Sequence, residues 1–166
     1  MKISMPAHKL VLDEVFEQPF GLIAIHSSIE EYKLAFLLNK HLGLRLARSR
    51  RDVDFQVGAL QVLFALYTFE DLQKYRQYYL VSNTAKGEQV TNTVANSLFG
   101  EEQVSVQKTY LLPEFKKVDF FLKIEEETSS VSEEQLLKQI KEIPQITTAY
   151  SIDFHQIKSK ENLIFD

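Results

Sequence analysis

From residue 118 the chain alternates. Val118, Phe120, Leu122 and Ile124 take one parity, and Asp119, Phe121, Lys123 and Glu125 the other. A period of two over this length predicts a strand with one firmly buried face. If its second face is also covered, Asp119 and Lys123 require polar partners beside Phe121. Earlier, "HKLVLDEV" (8–15) and "FGLIAIH" (20–26) read as strands, with Gln18-Pro19 supplying the turn between them. "LRLARSRRDVDF" (44–55) predicts a further strand. "ALQVLFALYTF" (59–69) is apolar at both parities, as expected of a central strand covered on two sides. "YRQYYLVSN" (75–83) returns after a connection of hairpin length, and "VSVQKTYLL" (104–112) adds another strand. Residues 83–103 carry only scattered Val90, Val94, Leu98 and Phe99, the pattern of a long loop or a partly helical segment.

Two stretches have helical punctuation. In "SSIEEYKLAFLLNKHLG", Ser28 suits the N-cap, Glu31 completes a capping box and Gly43 suits the left-handed position past the end. On the helical wheel Tyr32, Ala35, Phe36, Leu38, Asn39 and Leu42 form a broad apolar face, while Leu34 and Leu37 fall among charges. A helix apolar nearly all round is covered twice, by a second layer of this chain or by a second copy. Asn39, inside the apolar face, needs a partner, and a loop carbonyl is the expected one. In "SSVSEEQLLKQIKEIP", Ser132 and Gln135 offer a capping box, Leu136, Leu137, Ile140 and Ile143 form the stripe, and Pro144 ends it. "ITTAYSIDF" then closes the run with a strand.

The fold class that follows is α+β: a largely antiparallel sheet with two principal helices, 28–42 and 132–143, packed on it. The β-α-β part over 118–154 is ferredoxin-like in outline. One domain spans 1–156, followed by a tail over 157–166 that is polar until Leu163 and is either loose or docked by its last apolar residues.

Composition narrows the chemistry. The 166 residues carry a formal net charge of −4, which argues against nucleic-acid binding driven by bulk charge. The absence of cysteine excludes disulfides, thiol nucleophiles and thiolate metal sites. No window approaches the length of a membrane span, and residues 1–15 lack the apolar stretch of a secretory signal. A cytoplasmic protein is the expectation.

Candidate sites are few. "IHSSIE" (25–30) puts His26 and two serines where a strand turns into a helix, but no glycine opens the turn as a phosphate cradle or nucleophile elbow requires. The four histidines, His8, His26, His41 and His155, stand too far apart for a metal-binding spacing, so neither a metal nor a cofactor is expected. Four of the five arginines fall within seven residues, Arg45, Arg48, Arg50 and Arg51. Such a cluster binds anions or an acidic partner, and with Tyr67, Tyr75, Tyr78 and Tyr79 nearby it offers an RNA-binding surface. The competing reading is an edge strand kept from self-pairing by charge, its arginines paired with Asp52, Asp54 or distant glutamates.

"LPEFKKVDF" (112–120) resembles the defining motif of the small bacterial family named for its pattern IPE-x-x-x-VDY. Leu112 stands for the isoleucine, Pro113, Glu114, Val118 and Asp119 match at the same spacing, and Phe120 replaces the tyrosine without its hydroxyl. The resemblance implies a shared fold and no mechanism. Glu114 and Asp119 then have two readings: carboxylates that anchor backbone N–H groups at a strand approach, or acids sharing a pocket with His26. The leading expectation is a non-enzymatic interaction or accessory protein with a protein partner, itself or another chain, and no membrane. An RNA-associated protein and a small enzyme are the alternatives.

Overall fold

Apolar side chains at both parities over 21–26, 76–82 and 120–126 produce a sheet with both faces buried. The computed structural model describes residues 19–58, 60–91, 103–127 and 133–165, so the strand expected at 8–15 lies outside it. The strands are β1 (Gly21–His26), β2 (Ala47–Arg48), β3 (Val53–Val57), β4 (Leu60–Phe64), β5 (Leu66–Asp71), β6 (Arg76–Ser82), β7 (Thr84–Thr91), β8 (Gln103–Tyr110), β9 (Phe120–Glu126) and β10 (Thr148–Ser151). The helices are α1 (Glu31–Leu42) and α2 (Glu133–Lys141).

Six strands form the main sheet in the order β10-β1-β9-β6-β5-β2, each antiparallel to its neighbours. Because β9 and β10 both run against β1, they are parallel to each other, and α2 connects them across the strand between. The same relation holds for β1 and β6 across β9, so β10-β1-β9-β6 reproduces the split β-α-β order of a ferredoxin-like core. The α+β architecture is therefore the one the residue pattern implies. Two hairpins, β3–β4 and β7–β8, stand apart from the main sheet.

One face of the sheet packs on the helices. Ile23, Ile25, Tyr78, Leu80, Phe120, Leu122 and Ile124 meet Leu34, Ala35 and Leu38 of α1 and Leu136 and Ile140 of α2. The other face, with Leu22, Ala24, Val81 and Phe121, is covered by Val62 and Phe64 of β4, by Leu111, Leu112 and Val118, and by Ile157 and Leu163 near the C-terminal end. Residues 157–165 are thus docked, with Ile157, Leu163 and Phe165 packed in the second core.

Five local expectations change. No side chain caps α1, whose N-cap residue is Glu30, so Ser28 does not serve there. Gly43 does end the helix, at φ 68°, with its N–H bonded to the Asn39 carbonyl. The wheel is turned from the expected setting: Leu34 is buried, whereas Tyr32 and Phe36 are 56% and 65% exposed. The sheet takes the side of α1 carrying Leu34, Ala35 and Leu38, because Leu34 and Leu38 stack one turn apart. Run 59–69 is not one strand. It breaks at Ala65, β4 serving the small hairpin and β5 the main sheet, which explains apolar residues at both parities. Run 44–55 is likewise divided between β2 and β3, and the first part of 83–103 is strand β7, paired with β8.

Candidate functional site

The 112–120 motif is a junction of backbone. Leu112 is fully buried, Pro113–Phe115 forms a single 3-10 turn, Val118 is buried in the second core, and Phe120 starts β9 on the helix-facing side. Proline at the start of the turn is favourable because its missing N–H would have had no intrahelical partner. The organiser is a residue outside the motif. Asn83, fully buried where β6 gives way to β7, donates its side-chain amide to the carbonyls of Phe115 (2.9 Å) and Val118 (2.8 Å) and accepts the Leu112 N–H (2.9 Å). Its backbone N–H bonds the Asp119 carbonyl and its carbonyl accepts the Leu111 N–H. Four of these five hydrogen bonds fix the motif itself, and the fifth fixes the residue before it.

Both motif acids are engaged with backbone. Glu114 Oε1 accepts the N–H groups of Lys158 (2.9 Å) and Ser159 (2.8 Å), and Oε2 accepts the Ser159 hydroxyl (3.1 Å). Burial acts to raise its pKa, but hydrogen bonds from Ser159, from its own backbone N–H and from Lys158 together outweigh burial and hold the carboxyl below its ordinary value. Glu114 therefore anchors backbone as the sequence suggests, though in the C-terminal segment rather than in its own turn. Asp119 Oδ2 accepts the Ser27 N–H at 2.9 Å, fixing the β1–α1 turn where a local serine cap was expected. Ser27 Oγ donates to the Gln145 carbonyl, tying the turn to the end of α2.

His26 faces Tyr150, its Nε2 lying 3.2 Å from the phenolic oxygen. A shallow depression of about 360 Å³ includes Glu114 and Tyr150 in its walls, but neither Asp119 nor His26. The three residues of the enzyme reading are not brought into one pocket. Among the described residues no group of His, Asp or Glu is placed to hold a metal ion, and no helix is long and apolar enough to cross a membrane.

The four arginines are exposed at and beside β2, the outermost strand of the main sheet. Arg48 pairs with Asp52 and lies over the Tyr67 ring at 5.5 Å. Tyr78 is buried under the helices and Tyr79 faces the opposite side of the sheet, so the tyrosines do not line up beside the arginines as a stacking platform. Asn39 bonds Leu46 in both directions, donating to its carbonyl at 3.0 Å and accepting its N–H at 2.8 Å, the structural role expected of it.

A larger concavity than this depression lies elsewhere, at the ends of β5, β6 and β9. It is a groove of about 700 Å³, within the ~300–1,000 Å³ typical of ligand sites. At its floor is Lys123, only 4% exposed. The Lys123 ammonium donates to Glu125 and to the Leu163 carbonyl. It also lies 4.7 Å from the Phe20 ring centre, 5.3 Å from that of Tyr79 and 5.4 Å from that of Phe165, an arrangement that repays part of the cost of burying its charge. Arg76 and Glu126, opposite each other on β6 and β9, form a second wall. Their Nε and Oε1 atoms are 3.2 Å apart, and Glu126 Oε2 is buried without a hydrogen bond. The rim is apolar and open: Leu72 is 73% exposed, Tyr75 63% and Ile164 47%. Tyr75 has φ 53°, a left-handed conformation that bulky residues rarely adopt. Asp71, accepting the N–H groups of Gln73 and Lys74, holds the turn that imposes it.

Compared with protein-family models, curated proteins and solved structures, the chain matches none. Lys123 was the one groove residue visible as an anomaly, a lysine amid apolar strand positions. The remainder of the groove comes from separate stretches near 20, 70–79, 123–127 and 160–165, whose convergence no local pattern encodes.

Proposed function

We propose that this chain is a non-enzymatic, cytoplasmic interaction or accessory protein that docks a protein partner in the groove at the ends of β5, β6 and β9. One observation carries the reading. The motif carboxylates that an enzyme would need are bonded to backbone N–H groups, while three large apolar side chains stand exposed around the groove. Exposed apolar residues gathered on one concave site mark an interaction surface. On this reading LPEFKKVDF is a scaffold motif. Its similarity to the IPE-x-x-x-VDY pattern, and the bacterial origin that goes with it, would concern the fold rather than a reaction. The partner is a foreign protein or a second copy of this chain, the exposed Tyr32 and Phe36 on α1 favouring the latter.

The test is affinity capture of the tagged chain from its native cells, with and without ribonuclease, beside a Leu72→Glu/Tyr75→Glu variant. A protein retained after ribonuclease by the parent chain and lost by the variant is the expected result. Material lost on ribonuclease treatment would instead support RNA association through Arg45, Arg48, Arg50 and Arg51. Recovery of the bait alone, together with a strictly monomeric chain by light scattering, would overturn the docking reading.

A further inference from the structure

We infer that the groove takes a basic peptide segment of a partner protein, one in which lysine or arginine residues are interspersed with apolar ones. This rests on the docking reading above and adds the chemistry of the occupant. Two wall cations are already answered by neighbours, Lys123 by Glu125 and Arg76 by Glu126. In the remaining charge the acids outnumber the cation. Glu70, Asp71 and Glu127 line the groove and have no ion pair among the described residues, and Glu70 and Glu127 are exposed. The one other lining cation among the described residues, Lys160, lies over the Phe154 ring at 4.4 Å. Arg76 Nε and Glu126 Oε2 are both buried without a hydrogen bond, so that pair stays inside the wall and the acids an occupant meets are the exposed Glu70 and Glu127.

Other occupants fit less well. An acidic segment would bring like charge against Glu70 and Glu127. A purely apolar one would leave those two carboxylates without a counter-charge, and a small polyamine would leave Leu72, Tyr75 and Ile164 uncovered. A basic segment with interspersed apolar residues meets all three demands: its cationic heads reach the glutamates, its apolar residues cover the rim, and Tyr75 receives either a chain stem or a cation over its face.

The experiment is a fluorescence-anisotropy titration of the full chain with a labelled peptide alternating lysine and leucine. Its counterpart alternating glutamate and leucine, and spermidine as competitor, are run in parallel. Saturable binding of the lysine–leucine peptide is expected, weakened about tenfold, or ~1.4 kcal/mol, by Glu70→Gln/Glu127→Gln. Those two residues are exposed, so that variant folds. Glu30→Gln/Glu31→Gln on α1, which do not line the groove, should leave binding within about twofold. Equal loss from the α1 variant, equal binding of the glutamate peptide, full displacement by equimolar spermidine, or no saturable binding each overturns the inference. If the captured partner depends on Leu72 and Tyr75 but the lysine–leucine peptide does not bind, docking stands and this chemistry falls. If Leu72→Glu/Tyr75→Glu alters neither capture nor peptide binding, both fall.

Discussion

Asn83 and Leu112 are twenty-nine residues apart and joined by a buried 2.9 Å hydrogen bond from the Leu112 N–H to the Asn83 side-chain oxygen. The same side chain donates to two carbonyls farther along the motif. Replacing it by alanine strands one N–H and two carbonyls in the core. Asn83→Ala should destabilise the chain by about 3 kcal/mol, measured by urea unfolding. Asn83→Asp, which keeps the acceptor but turns an anion toward two carbonyls, should be no better. A loss below about 1 kcal/mol for both would mean that the motif holds its shape without this residue.

Glu114 links stability to pH. Its folded-state pKa is lowered, so its contribution is complete above its unfolded-state value, ~4.3, and is lost as pH falls through the lower folded-state value. Melting temperatures of the parent and Glu114→Gln should therefore differ near neutrality and converge in acid below about pH 4. A constant gap across that range would show that the charge on Glu114 is immaterial to its hold on Lys158 and Ser159.

Gly43 ends α1 at φ 68° with open space where a Cβ would stand. The penalty for Gly43→Ala is then conformational alone, about 1 kcal/mol. Asparagine, which tolerates this conformation, should recover part of it. Chemical denaturation of the two variants gives the comparison directly.

Arg48, Arg50 and Arg51 guard the outermost strand. Replacing all three by alanine should alter unfolding free energy by no more than ~1 kcal/mol, since exposed ion pairs contribute little. It should nevertheless promote self-association through the uncovered edge, visible by light scattering as protein concentration rises. An unchanged, monodisperse variant would remove the edge-protection role.

Much of this fold was legible in periodicity. The alternation at 118–124 became β9, the glycine at 43 became the end of α1, and the amide of Asn39 found its loop carbonyl. Lys123, an anomaly on the second parity of β9, did require partners once that face was covered. What failed to show was action at a distance. The β1–α1 turn is secured by Asp119, ninety-two residues beyond Ser27, so a cap sought locally at Ser28 was the wrong expectation. The setting of α1 was misread because Tyr32 and Phe36 weigh as apolar on a wheel even when solvent covers them. The break at Ala65 was hidden because consecutive apolar strands serving two different sheets look like one strand buried on both sides. The groove was illegible for a related reason: its walls meet only after the sheet is assembled.

Lys123 also sets how the chain comes apart. Its ammonium sits on a central strand, yet one of its two acceptors is the Leu163 carbonyl and one of its covering rings is Phe165. Peeling residues 160–165 from the sheet would take the Leu163 carbonyl and the Phe165 ring from Lys123 and let water onto the core around Phe121. The last turn is therefore closer to a keystone than to a trailing end, and trimming it should lower the cooperativity of unfolding for the whole sheet rather than free a loose appendage.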